Sequence, residues 1–290
     1  MRTEAEMYNL ILDIANQDDN IRAVYMNGSR TNDNVPKDIF QDYDIVYVVT
    51  DTKPYIENKK WIDKFGERLF MQYPDEHPDF PSDKENYYGW LMQFKDGNRI
   101  DLHVESISHS KKYILNDKLC RILLDKDKMF SMITKSTDED YRVKRPSKEQ
   151  YLCTCNEFWW CLNNVAKGMW RGEIPYVQDM LNFCVRKQLE KMLSWKVGIE
   201  TNFSVSVGKS GKYMYNWLTA EEWNKYLSTY CSSDTEECWD AIFRMCDLFD
   251  DVSKYAGDKL GYSYNLSDSE NCRMFLKHIR ELPKDATEIY

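Results

Sequence analysis

No run of about 18 apolar residues occurs in this 290-residue chain, so no membrane-spanning helix is expected. Histidine is scarce, at four, and the nine cysteines stand at no zinc-binding spacing. Cys153-x-Cys155 is too tight for a zinc knuckle, so a structural zinc module is not expected. Serine–histidine and cysteine–histidine nucleophile schemes find no support beyond single residues. Positive charge is also short: 39 Lys and Arg stand against 48 Asp and Glu, a formal charge of -9. Nucleic-acid phosphates want a basic surface, so a nucleic-acid partner is disfavoured and a cationic one favoured. The plainer account is the mild acidity common to many proteins. An apolar leader is missing as well. Met1-Arg2-Thr3-Glu4-Ala5-Glu6 carries charge where a secretory signal would be apolar, so reduced thiols and a cytoplasmic location are expected. Neither an internal repeat nor a low-complexity tract is found.

What is present centres on one stretch. Ile21 to Met26 is an apolar, β-leaning run, followed by a Gly28-Ser29-Arg30 turn. Asp42-Tyr43-Asp44 then opens a second apolar run, Ile45 to Val49. Side chains alternate along a strand, so Asp42 and Asp44 point the same way. Two carboxylates on one face repel unless a cation lies between them, and magnesium suits such oxygens. Gly28 permits close backbone approach to a ligand, Ser29 adds a hydroxyl, and Arg30 adds a fixed positive charge. Asp125/Asp127 and Asp138/Asp140 repeat the Asp-x-Asp spacing without a Gly-Ser turn, and read as solvated charges. A third carboxylate comes from Asn98 to Ser106, where Ile100, Leu102 and Val104 alternate with Asp101, His103 and Glu105 as in a half-buried strand. Asp101 either completes a metal site or acts as a general base. His103 shares its face and reads first as a structural histidine, second as a group tuning Asp101.

Gly28-Ser29, Asp42-x-Asp44 and the later strand Asp101 resemble the nucleotidyltransferase superfamily signature. Segments Asn27–Val49, Tyr87–Val104 and Phe203–Tyr213 resemble the aminoglycoside 6-adenylyltransferases, which modify streptomycin. The likeness runs along nearly the whole chain. It implies ATP-dependent adenylyl transfer to a drug hydroxyl, with magnesium held by Asp42 and Asp44 and the proton taken by Asp101. The streptomycin substrate and the 6-hydroxyl come from the resemblance alone. Lys209 and Lys212, beside Gly208 and Gly211, are candidates for the ATP phosphates. Competing readings are nucleotidyl transfer to RNA or protein, which the acidic balance disfavours, and a silent nucleotidyltransferase fold, which the intact aspartates disfavour. Oligomeric state is left open.

The expected fold is α+β: an N-terminal nucleotidyltransferase-type mixed sheet flanked by helices over 1–146, then a helical bundle over 147–290. Thr3 and Glu6 fit a capping box before a helix over 4–16. Residues 31–41 read as a loop able to fold over a nucleotide. Pro54 to Tyr73 reads as a helix with Trp61, Phe65 and Leu69 on one face. A proline-bearing loop follows, then a hairpin turning at Asp96-Gly97, then a fifth strand at Arg121 to Leu124. Ser147 is the expected N-cap of a helix to Trp170, followed by Ile174 to Trp195 with Pro175 near its start. Residues 201–216 connect to a helix capped by Thr219 with Glu222, and 234–256 and 268–281 supply the last helices. Glu157, Trp159, Trp160, Trp170, Glu173, Tyr176 and Asp179 interleave acids with aromatics. That pattern suits a polyhydroxylated cation, with Glu157, Tyr176 and Asp179 as candidate substrate contacts. The plainer reading of the tryptophans is core packing.

Overall fold

The computed structural model describes residues 1–133 and 135–290. They divide into two compact units, Met1–Asp140 and Tyr141–Tyr290, against an expected division after residue 146. Residues 141–146 go with the helical unit. The Val143 N–H donates to Val205 O at 2.9 Å, and Pro146 O accepts from Tyr262 Oη at 3.0 Å.

The first unit is built on a mixed sheet. Its strands are β1 (Ile21–Asn27), β2 (Tyr43–Val49), β3 (Arg68–Gln72), β4 (Tyr87–Phe94), β5 (Arg99–Ser106) and β6 (Cys120–Asp125), in the order β3-β4-β5-β2-β1-β6. Neighbours pair antiparallel except β2 and β5, which run parallel with Asp44 beside Asp101. Alternation sorts the side chains. Val24, Met26, Tyr43, Ile45, Tyr47, Ile100, Leu102 and Val104 pack on Met7 and Ile11 of α1 (Glu4–Asn16). On the opposite face Tyr25, Val46 and Val48 join Ile114, Cys120 and Phe130 in a smaller cluster. The expected Thr3–Glu6 capping box starts α1, and Tyr47 Oη donates to Ile11 O at 2.7 Å, tying helix to sheet.

The long helix expected over 54–73 does not form. In its place are α2 (Lys53–Glu57), a 3-10 turn (Trp61–Phe65) and the edge strand β3. Gly66, at φ 113°, ends the helical path, because that conformation favours glycine and leaves the helix. The chain after it pairs with β4. Trp61 and Phe65 are buried, with ring centroids 6.4 and 6.2 Å from Tyr47, whereas Leu69 is 64% exposed, so the three do not share a face. The sheet therefore has six described strands where five were expected. A short helix, α3 (Ile107–Tyr113), also follows β5, capped by Ser106 Oγ accepting from His109 N–H.

The second unit is helical: α4 (Lys148–Arg171), α5 (Ile174–Asp179), α6 (Arg186–Glu200), α7 (Ala220–Leu227), α8 (Thr235–Leu260) and α9 (Leu266–Glu281). Ser147 with Gln150 and Thr219 with Glu222 form capping boxes at α4 and α7. The single helix expected over 174–195 reaches Glu200 and contains one widened π turn, Met180–Val185, between α5 and α6. Phe158 of α4 stacks on Phe249 of α8 with centroids 3.6 Å apart, at the heart of this core. Among the described residues no helix is long and apolar enough to cross a membrane.

Candidate active site

The parallel β2–β5 pairing creates the site. It brings Asp44 and Asp101 side by side on the sheet face away from α1. Asp42 lies just before β2, and ligand oxygens of Asp42, Asp44 and Asp101 all fall within 4.8 Å of one another. Among the described residues this is the one group of three or more His, Cys, Asp or Glu so arranged. Burial pushes the Asp44 carboxyl up to about 7, with the charges of Asp42 and Asp101 adding to the rise. The trio thus crowds negative charge into a space where one member resists ionising without a cation.

Arg99 supplies part of that cation. Its Nε and one terminal nitrogen donate to the two Asp101 oxygens at 2.8 and 2.6 Å, and Nε lies 3.8 Å from Asp42 Oδ2. The sequence reading gave Arg99 no role. A signal existed, since it stands two residues before Asp101 and strand alternation puts both on one face.

Gly28 acts on the trio from the turn after β1. At φ 75° and ψ -161° it occupies a region other residues avoid. A Cβ placed there would lie 1.9 Å from Asp44 Oδ2. Glycine is thus required first by the aspartate packed on it. Ser29 opens the following 3-10 turn, with its Oγ 3.5 Å from Gln41 Nε2. Arg30, read in the sequence as a fixed positive charge for a ligand at the turn, makes several contacts within the protein. Its Nε donates to Asp42 O at 3.0 Å and a terminal nitrogen to Gln41 O at 2.8 Å, the other terminal nitrogen lies 3.5 Å from Glu4 Oε1, and the guanidinium lies 3.8 Å over the Tyr43 ring. These contacts fix the backbone that carries Asp42. The 31–41 loop bears Ile39 and Phe40, 69% and 86% exposed.

Further along the same face, His103 stacks on Tyr87 at 4.7 Å, and burial lowers its pKa below the ordinary histidine value. Glu105 is buried and accepts from Tyr25 Oη at 2.9 Å and Ser110 Oγ at 2.8 Å, a satisfied structural carboxylate.

The other candidates belong to the helical unit. Lys209 and Lys212 are exposed on a turn. Glu157 is exposed on α4 and accepts from Cys161 Sγ. Tyr176, 43% exposed, packs where Gly168 of α4 lacks a Cβ, and Asp179 is exposed at the end of α5. Tyr176 and Glu157 therefore stand at different levels of α4. Gly168 and Glu157 are separated by roughly 16 Å along α4, at 1.5 Å per residue. The tryptophans divide between roles: Trp159 is buried, its Nε1 donating to Tyr264 Oη, while Trp160 is 65% exposed. Phe183, 70% exposed in the π turn, is a second outward aromatic that the sequence reading did not single out.

Comparison with known proteins shows the family to which the chain belongs. The family model for streptomycin adenylyltransferase matches residues 1–279. An aminoglycoside 6-adenylyltransferase of Bacillus subtilis (strain 168) is 39% identical over 265 residues, 91% of this chain and 93% of its own. One from Campylobacter jejuni is 38% identical over 270 residues, 93% of each chain. A crystal structure of an aminoglycoside 6-adenyltransferase from Bacillus subtilis aligns with 97% of this chain and 100% of its own, at 34% identity and a TM-score of 0.48. With nearly its whole length matched by the family model, the chain belongs to the streptomycin adenylyltransferase family, a family of nucleotidyltransferase enzymes.

Proposed function

We propose that this chain transfers AMP from ATP to a hydroxyl of a cationic aminoglycoside, streptomycin at its 6-hydroxyl, and releases pyrophosphate, with magnesium as the metal. The observation that supports this most is the trio Asp42, Asp44 and Asp101, its oxygens within 4.8 Å. The donor set is all hard oxygen, which fits magnesium, and a bound cation would favour the ionised form of the Asp44 carboxyl, which burial and its neighbours raise to about 7. The metal supplies charge neutralisation on the triphosphate and its leaving group.

The chain's own residues do the rest. Asp42 and Asp44 would hold the metal, and Asp101 would complete the site or take the proton from the attacking hydroxyl. General-base help is typically worth roughly 10²–10⁴-fold. Arg99 holds the Asp101 carboxylate in orientation, and Arg30 fixes the backbone beneath Asp42. The Gly28 backbone and the Ser29 hydroxyl face the phosphates, with Lys209 and Lys212 as further phosphate contacts. Glu157 and Asp179 attract the drug's cationic groups while Tyr176 covers a sugar face.

The test is mass spectrometry of streptomycin after incubation with the protein, ATP and magnesium. A gain of one adenylyl group, absent without ATP or without magnesium, is expected. Unmodified drug under all conditions would remove this reading.

A further inference from the structure

Cys231 and Cys238 stand together where the chain leaves α7 and enters α8. Their sulfurs lie 3.1 Å apart. A disulfide bond needs about 2.05 Å, so a shift of roughly 1 Å would join them. The two thiols differ in access. Cys238 is buried in the helical core, whereas Cys231 is half-buried and Ser232 to Glu237 between them are exposed. Burial and the neighbouring Cys231 thiol push the Cys238 thiol up to about 12. Cys238 is thus a poor first nucleophile, and Cys231 is the sulfur that a small reagent meets.

The surroundings suit both oxidation states. Gln178 of α5 turns its Nε2 to both sulfurs, 3.6 Å from Cys231 Sγ and 3.5 Å from Cys238 Sγ, and donates to Ser232 O at 2.9 Å. Sulfur is a weak acceptor, and joining the two sulfurs leaves their lone pairs facing the amide. In the dithiol state Cys238 Sγ also donates to Ser232 O at 3.1 Å. Loss of that S–H leaves the carbonyl satisfied by Gln178. The segment is anchored on both sides of Cys231. Arg186 of α6 donates to Thr229 O at 3.0 Å, and its guanidinium lies 3.6 Å over the Tyr230 ring. Asp234 Oδ1 accepts from Glu237 N–H at 2.9 Å as the cap of α8. Held at 229–230 and again at 234, Cys231 stays beside its partner, which raises the effective concentration of one sulfur at the other.

We infer that Cys231 and Cys238 form a covalent modification site, a thiol pair that closes to an intramolecular disulfide by exchange with a small-molecule disulfide such as oxidised glutathione. The Cys231 thiolate attacks one sulfur of the reagent, the reagent's S–S bond breaks, and one glutathione leaves as its thiolate. Cys238 gives up its proton to solvent, attacks the Cys231 sulfur of the mixed disulfide, and expels the second glutathione. Two protein thiols are thereby oxidised by two electrons, one reagent disulfide is reduced to two thiols, and the two protons end on those thiols. Reduction runs the same steps backwards. The adenylyl-transfer reading plays no part in this assignment.

The experiment incubates the full-length protein with oxidised glutathione, blocks the remaining thiols with N-ethylmaleimide, and maps tryptic peptides by mass spectrometry without reduction. Both cysteines fall on one tryptic peptide, Tyr226 to Arg244, which has no other cysteine. In the wild type that peptide should be lighter by two hydrogens and free of maleimide, and dithiothreitol should restore both maleimide sites. Cys238→Ser should instead hold a glutathione adduct on Cys231, because the resolving thiol is gone. Cys153→Ser, which removes an exposed thiol of α4, should leave the cross-link unchanged. The wild-type measurement depends on no variant folding. Three results there would overturn the inference: a peptide that still takes two maleimides, a glutathione adduct that persists on Cys231, or a disulfide from either cysteine to a third.

Discussion

Gly28→Ala puts the geometry of the trio to a direct test. The new Cβ would stand 1.9 Å from Asp44 Oδ2 and 2.8 Å from its Cγ. Ordinary contact begins near 3.4 Å, so the carboxylate must retreat by about 1.5 Å. Misplacing a reacting group by about 1 Å can cost roughly 10²-fold in rate, so turnover should fall by at least that factor. The substitution also forces alanine to φ 75°, ψ -161°, a strain of about 1–3 kcal/mol. Gly97→Ala separates the two effects. Gly97 has φ 89°, but a Cβ there meets nothing within 4 Å. Both variants should lose stability, by roughly 3–9 °C in Tm for a unit of this size. Only Gly28→Ala should lose drug adenylylation, followed by mass spectrometry, and manganese binding, followed by calorimetry. Wild-type turnover in Gly28→Ala would refute the argument that the Asp44 carboxylate must occupy its observed position.

Asp42→Asn and Asp44→Asn keep size while removing the charge proposed to hold magnesium. Turnover should fall by about 10² or more with the circular dichroism spectrum unchanged, and near-normal rates in either would sink the metal assignment. Arg99→Met removes the guanidinium that competes with a metal for Asp101, so manganese affinity in the absence of nucleotide should rise several-fold; unchanged affinity would mean that Arg99 and the metal do not share the carboxylate. Asp96 illustrates acid stability. Burial works to raise its pKa, but donation from Arg2 and Asn98 outweighs it and holds the carboxyl well below the usual range. A depressed folded-state pKa contributes stability that is complete above the unfolded value of about 3.9 and is lost as pH falls further. Asp96→Ala should therefore cost roughly 2–3 kcal/mol at neutral pH. The gap in Tm between wild type and variant should close below about pH 4, and a gap independent of pH would contradict the ion-pair account.

Much of the fold was legible because helix starts and strand alternation are local. The boxes at Thr3, Ser147 and Thr219 need only residues three apart, and all three form. The segment 54–73 was misread for a physical reason. Trp61, Phe65 and Leu69 recur at helical spacing, but Gly66 interrupts the path and Arg68 to Gln72 finds a partner in β4, which is distant in sequence. A five-residue edge strand with exposed Leu69 and Phe70 has too short a pattern to announce itself. The same limit applies to side-chain direction. Sequence shows that Arg30 is charged and next to the turn. It does not show that Asp42 O and Gln41 O lie where the guanidinium can reach them.

The trio was readable before any partner was known because the core leaves β5 no freedom. Ile100, Leu102 and Val104 are all fully buried against the α1 face. Moving the side-chain set by one residue would bury Asp101, His103 and Glu105 there and expose the three aliphatics, an exchange that costs apolar burial and places carboxylates in a dry core. Ile45 and Tyr47 impose the same condition on β2. Once both strands are fixed, parallel pairing can only set Asp44 and Asp101 on one face together. Glu157 and Tyr176 lack any such constraint. Each is exposed on a helix whose buried stripe is satisfied whatever the outward residue is, so their spacing in sequence says nothing about a shared ligand. Charge in the aspartate trio is dictated by the fold's own packing, whereas the outward charge of the helical unit is not. Alterations of substrate range should therefore be sought among the outward residues of α4 and α5, and losses of chemistry among the strands.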